Sequence, residues 1–137
     1  MGASQTQDNY YVSYKIGWIK NGVLVEFVGE TSIEDIDEAN QKLYEDERLY
    51  SCLFVVFNFD SADLSKVTLE QVRITVESDR NISLEFPDPI LVITSNHPIT
   101  DALIFYYQLT AESFDVKWDI KRFGSVKDAL RWCYELA

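Results

Sequence analysis

Residues 60–65, Asp-Ser-Ala-Asp-Leu-Ser, bring two carboxylates and two hydroxyls together directly after the apolar run Cys52 to Phe59. Three chemistries suit side chains of this kind: phosphoryl acceptance at a hydroxyl, cation binding by the acids, and capping of backbone groups at a strand end. Cation binding asks for more than the stretch supplies. Ca²⁺ and Mg²⁺ need about six or more oxygen ligands. Asp60 and Asp63 contribute too few, an Asp-x-Ser-x-Ser arrangement would need hydroxyls where Ala62 and Leu64 stand, and a phosphatase-type Asp-x-Asp would need an acid at Ala62. No metal and no cofactor is expected. The spacing predicts a polar turn in which Asp60, Ser61, Asp63 and Ser65 bind backbone groups.

His97 is the single histidine, placed in Thr94-Ser95-Asn96-His97-Pro98 where an apolar run gives way to a helix start. An imidazole there suits anion binding or proton transfer, but general acid–base work requires a nucleophile or carboxylate within hydrogen-bond reach. No such companion is readable, so His97 is taken as a helix-start residue and a hydrolase built on it ranks last. Cys52 and Cys133 have no Cys-x-x-Cys spacing and no neighbouring histidine, which argues against a zinc site or a thiol enzyme. The five glycines are scattered, so no phosphate-cradling loop is present. Trp132 falls about 100° from the centre of its helix's apolar stripe, where it would either lid the sheet edge or touch a partner.

These residues must be positioned by a recognisable order of elements. Residues 11 to 19 and 23 to 28 read as antiparallel strands joined through Asn21-Gly22, a dipeptide suited to a type I′ turn with positive φ at both positions. On the first strand Tyr14 and Trp18 share one face and Tyr11 takes the other. Thr31 with Glu34 forms a capping box, and Ile33, Ile36, Ala39 and Leu43 recur at helical spacing toward an end near Leu49. The run from Cys52 to Phe59, apolar except at Asn58, reads as a central strand covered on both faces. Thr68 with Gln71 caps a second helix with Leu69, Val72 and Val76 inward. A strand ending at Thr94 follows. Pro98 then opens a third helix with Ile99, Leu103, Tyr106 and Leu109 inward. Val116, Trp118 and Ile120 alternate with Lys117, Asp119 and Lys121 as in an edge strand, and Ser125 with Asp128 opens a last helix on Val126, Ala129, Leu130 and Cys133. The fold class predicted is α/β, a mixed, mostly parallel five-stranded sheet with four helices in the order β-β-α-β-α-β-α-β-α. A flexible stretch over 1–9 and a single domain over 10–137 complete the layout.

The composition narrows the partners. Twelve basic against 23 acidic residues in 137 leave a net charge of −11, which repels nucleic acid and anionic lipid. No run reaches the roughly 20 apolar residues of a membrane span, and the N-terminus lacks a secretory pattern. Gly2 followed by Thr6 matches the form of a myristoylation site, but the basic patch that would support a single acyl chain is absent. Unpaired thiols beside core residues fit a reducing, cytoplasmic setting.

With that element order, the tail VKWDIKRFGSVKDALRWC resembles the SpoIIAA-like group of the STAS superfamily of anti-sigma-factor antagonists. There the last strand runs into a Phe, a capped turn and a helix carrying Ala, Leu and Trp, which are here Phe123, Ser125, Ala129, Leu130 and Trp132. The likeness covers nearly the whole chain through structural motifs and implies a scaffold more than an activity. Antagonists of that family carry an Asp-Ser-Ser/Thr-Gly-Leu motif whose second hydroxyl accepts phosphate. Asp60, Ser61 and Leu64 match it, but Ala62 stands at the acceptor and Asp63 at the glycine. Phosphorylation of Ser61 or Ser65 instead would put about two negative charges beside carboxylates. The resemblance therefore implies a non-catalytic binding or regulatory module without the phosphoacceptor hydroxyl. Its partner would be another protein or a second copy, since Tyr14, Trp18 and Trp118 are large enough to meet one. Sec14-type lipid carriers share part of this topology, so a small hydrophobic ligand is the alternative. The acids along the first helix, among them Glu34, Asp37, Glu38 and Glu45, read as a solvated face or a docking surface for a basic partner.

Overall fold

The computed structural model describes residues 8–86 and 89–136. Strands β1 (Asp8–Tyr10), β2 (Tyr14–Ile19), β3 (Gly22–Glu30), β4 (Phe54–Asp63), β5 (Ile90–Thr94) and β6 (Ile120–Phe123) form one sheet in sequential order. Helices α1 (Ile33–Tyr44), α2 (Leu69–Glu85), α3 (Pro98–Ser113) and α4 (Val126–Leu136) alternate with the later strands. β1, β2 and β3 pair antiparallel, and β3 to β6 run parallel. The β-β-α-β-α-β-α-β-α series is present as predicted, with β1 added as a sixth strand at the edge. Residues 8 and 9, assigned to a flexible terminus from sequence, belong to that strand. Gly2 and Thr6 lie outside the described residues.

Parallel strands laid down in one direction by right-handed crossovers put every crossover helix on the same side. The core divides accordingly. Val55, Phe57, Leu91 and Ile93 pack with residues of α1, α2 and α3, whereas Phe54, Val56 and Val92 pack with Ala129 and Cys133 of α4 on the opposite face. The apolar run of β4 thus has cover on both faces, and one helix supplies all of it on the second.

Several local expectations shift. The two residues between β2 and β3 are Lys20 and Asn21; only Asn21 has positive φ, at 67°, and Gly22 already pairs with Ile19 as a strand residue. Gly22 is needed for space: a Cβ there would stand 2.8 Å from the Phe54 carbonyl oxygen and closer still to a carbon of the Phe54 ring. The cap of α1 is Ser32 with Asp35, not Thr31 with Glu34. Thr31 is buried, and its hydroxyl donates to the Gly29 carbonyl instead. α1 ends at Tyr44, and a 3₁₀ turn over Glu47–Ser51 carries the chain past Leu49. Thr68 and Gln71 do form the capping box of α2, but Leu69 is exposed. α3 is turned by about one residue from its predicted register. Ile99 and Leu109 face out, and Thr100, Ile104 and Ala111 are buried. A helix apolar on most sides gives periodicity little to fix its inner face.

Candidate functional site

The polar stretch expected as a turn is strand as far as Asp63, with Ser61, Ala62 and Asp63 paired to Val28, Gly29 and Glu30 of β3, and its polar groups hold the end of the strand. A register shift between Glu26 and Val28 sets two residues of β4, Phe59 and Asp60, against Phe27 of β3. Such a bulge re-aims side chains at a strand end. Asp60 Oδ1 accepts from the Thr94 hydroxyl at 2.9 Å, and Oδ2 accepts from the Val126 backbone N–H at 3.1 Å. One carboxylate therefore ties β4 to β5 and to the first turn of α4, where negative charge is favoured. Asn58 continues the row: its Oδ1 accepts from the Asp60 N–H and shares the single Thr94 hydroxyl proton with Asp60, and its Nδ2 donates to Glu26, which pairs with Lys15. The polar interruption of the apolar strand is thus the middle of a line across four strands. Asp63 Oδ1 accepts from the Ser65 N–H at 2.9 Å, which holds that carboxyl below its ordinary value, with a smaller electrostatic pull from His97. Ser61 and Ser65 are exposed.

His97 is exposed at the N-terminus of α3, and its backbone N–H donates to the Ser95 hydroxyl at 3.3 Å. Its side chain makes no capping bond. Trp132 is half-buried against Phe123 at 5.6 Å between ring centres, over the β6 edge. The structure brings Asp60, Asp63 and His97 to one end of the sheet, while Trp132 lies along α4. Among the described residues no group of three or more His, Cys, Asp or Glu is arranged to hold a metal ion.

The aromatic residues proposed for a partner are occupied within the chain. Tyr14 is buried, donates its hydroxyl to Glu38 of α1 at 3.0 Å, and has its pKa raised by burial and by that carboxylate. Tyr11 stacks on Tyr14 at 4.6 Å, since residues 11–13 leave the strand and the expected alternation of faces is lost. Arg48 covers Trp18 at 4.4 Å, and Trp118 Nε1 donates to the Phe86 carbonyl at 2.6 Å.

A second polar group, unforeseen from sequence, lies between the sheet and the three crossover helices. Two voids of about 70 and 30 Å³ share Asn40, Phe57, Asp79 and Leu91 in their walls. Asp79 on α2 is 6% exposed and accepts from the hydroxyls of Tyr107 at 2.5 Å and Tyr44 at 3.5 Å. Burial pushes its carboxyl up to about 7, against the pull of those two hydrogen bonds. Asn40 on α1 is 8% exposed, and its side chain makes no hydrogen bond with any described residue. The signal was present in the helical register. Asn40 follows Ile33 and Ile36 by seven and four residues, and Asp79 follows Val72 and Thr75 by the same steps, so each polar residue stands in an inward stripe.

No family model matches the chain, and no curated protein matches it. Among solved structures it is similar to an uncharacterized protein of the DUF3478 family with a SpoIIAA-like fold from Shewanella loihica PV-4, at 13% identity and a TM-score of 0.49, covering 90% of this chain and 97% of that one.

Proposed function

We propose that the chain is a non-catalytic binding module that acts by protein association through the open half of its sheet, with a second copy as the first partner to test. The uneven cover of the sheet carries this reading. α4 packs on β4, β5 and β6, and the same face of β2 and β3 has no helix over it. Tyr10 at 73% and Val28 at 58% exposure lie on that side, beside the half-buried Ile19 and Leu24. Apolar surface gathered on one sheet face is a common site of symmetric self-association. The engagement of Asp60 and Asp63 by backbone and neighbouring hydroxyls also supports a scaffold role for the strand end over a reaction there.

The net charge of −11 opposes pairing of two copies, and salt screens it beyond about 8 to 10 Å. Light scattering should give about twice the 15.9 kDa chain mass, with more dimer as salt rises. Val28→Glu should return the monomer without loss of folding. A monomer at both low and high salt would remove self-association from the reading and leave a different protein as the partner. Among the described residues no helix is long and apolar enough to cross a membrane.

A further inference from the structure

We propose that the voids under α1, α2 and α3 form a binding site for a small, neutral, mainly apolar molecule carrying one hydroxyl or carbonyl group, with that group held by Asn40 and Asp79. The walls are otherwise apolar side chains such as Ile33, Phe59, Val72 and Leu103, which call for a hydrocarbon body. Asn40 stands at a position where the helix register asks for an apolar residue, and its amide makes no hydrogen bond with a described residue yet is not shut off from open space, so its donors and acceptor are available to an occupant of the void. Asp79 stands in the wall common to both voids, in a setting that favours its protonated form, in which it donates as well as accepts.

Charge selects against the other chemistries. A ligand carboxylate would meet Asp79 in a low-dielectric wall, where two like charges cannot both be kept. An ammonium would have to leave water to pair with a carboxyl that burial already holds toward neutrality. Size selects further. The voids together are smaller than the roughly 150 Å³ cavity that takes benzene in an engineered protein, so the occupant must be smaller than a benzene ring, a chain of about three or four heavy atoms.

The test is an NMR titration of the full chain at pH 6, below the raised Asp79 pKa, with 1-propanol, propanoate and propylamine, following the methyl groups of Ile33, Val72 and Leu103. Saturable shifts confined to these methyls with 1-propanol, and at least tenfold weaker effects from the two charged probes, are expected. Asn40→Leu should keep the fold and weaken 1-propanol by about fivefold, the worth of one buried hydrogen bond. Three results would overturn the proposal: no saturable shift at any concentration the fold withstands, propanoate binding as well as the alcohol, or Asn40→Leu binding unchanged. Should that variant not fold, the ranking of the three probes on the parent still decides. The light-scattering result on the open sheet face bears on a different surface, so either proposal can fail alone.

Discussion

The Tyr107 hydroxyl on α3 donates to the Asp79 carboxyl on α2 at 2.5 Å, with both residues in the space between helices and sheet. The pair links two neighbouring helices through one hydrogen bond. Because burial raises the Asp79 pKa from an ordinary 3.8 to about 7, the folded chain keeps this proton over a range where the unfolded chain has lost it. Stability contributed by this group is then full below pH about 4, falls as pH rises toward 7, and is level above. Asp79→Asn should flatten that part of the profile. Between pH 4.5 and 7.5 the parent should lose on the order of 2–4 kcal/mol relative to the variant in urea unfolding. Parallel profiles for the two proteins would show that Asp79 ionises normally.

Gly22 gives a steric prediction. Its backbone is ordinary, but the Phe54 ring occupies the space a side chain would take. Gly22→Ala should cost about 1–3 kcal/mol by overpacking, and Gly22→Val more. Asn21→Gly, at the position that does carry positive φ, should be close to neutral. Urea midpoints for the three variants order them directly, and an alanine variant as stable as the parent would show that Phe54 moves aside freely.

Asp60 and its neighbouring serines separate a structural strand end from a modified one. Asp60→Ala leaves the Val126 N–H without its acceptor, while the Thr94 hydroxyl keeps Asn58 Oδ1, at a cost of about 1–3 kcal/mol. Amide exchange in the first turn of α4 should quicken in the same variant. Ser61→Ala and Ser65→Ala should change stability by no more than about 0.5 kcal/mol, being exposed. Protected α4 amides in Asp60→Ala would mean that the helix is seated by its apolar face alone.

Both thiols should be inert in the folded chain. Cys52 and Cys133 are buried, and burial pushes each pKa to about 11. At pH 8 roughly one thiol in a thousand would be ionised, and access is blocked as well. Ellman's reagent should find no reactive thiol in buffer and two per chain in strong denaturant. Rapid labelling of either in buffer would place it at a mobile surface.

Sequence alone determined the alternation of strands and helices, the cap of α2 at Thr68 and Gln71, and the inward stripe Ile33, Ile36, Ala39 and Leu43, because each depends on contacts within a few residues. It also marked Asn58 as the one polar residue in an apolar strand. What Asn58 and Asp60 do was decided by tertiary structure, since their partners Glu26, Thr94 and Val126 come from other elements. The same holds for Gly22, whose neighbour Phe54 is brought beside it by parallel pairing of β3 with β4. The face of α3 that points inward could not be read from its own residues, because apolar side chains ring most of that helix and only the sheet selects among them. Asn40, Asp79 and Tyr107 lie on three different helices, and their meeting depends on the one-directional winding that stacks all three helices on one side of the sheet.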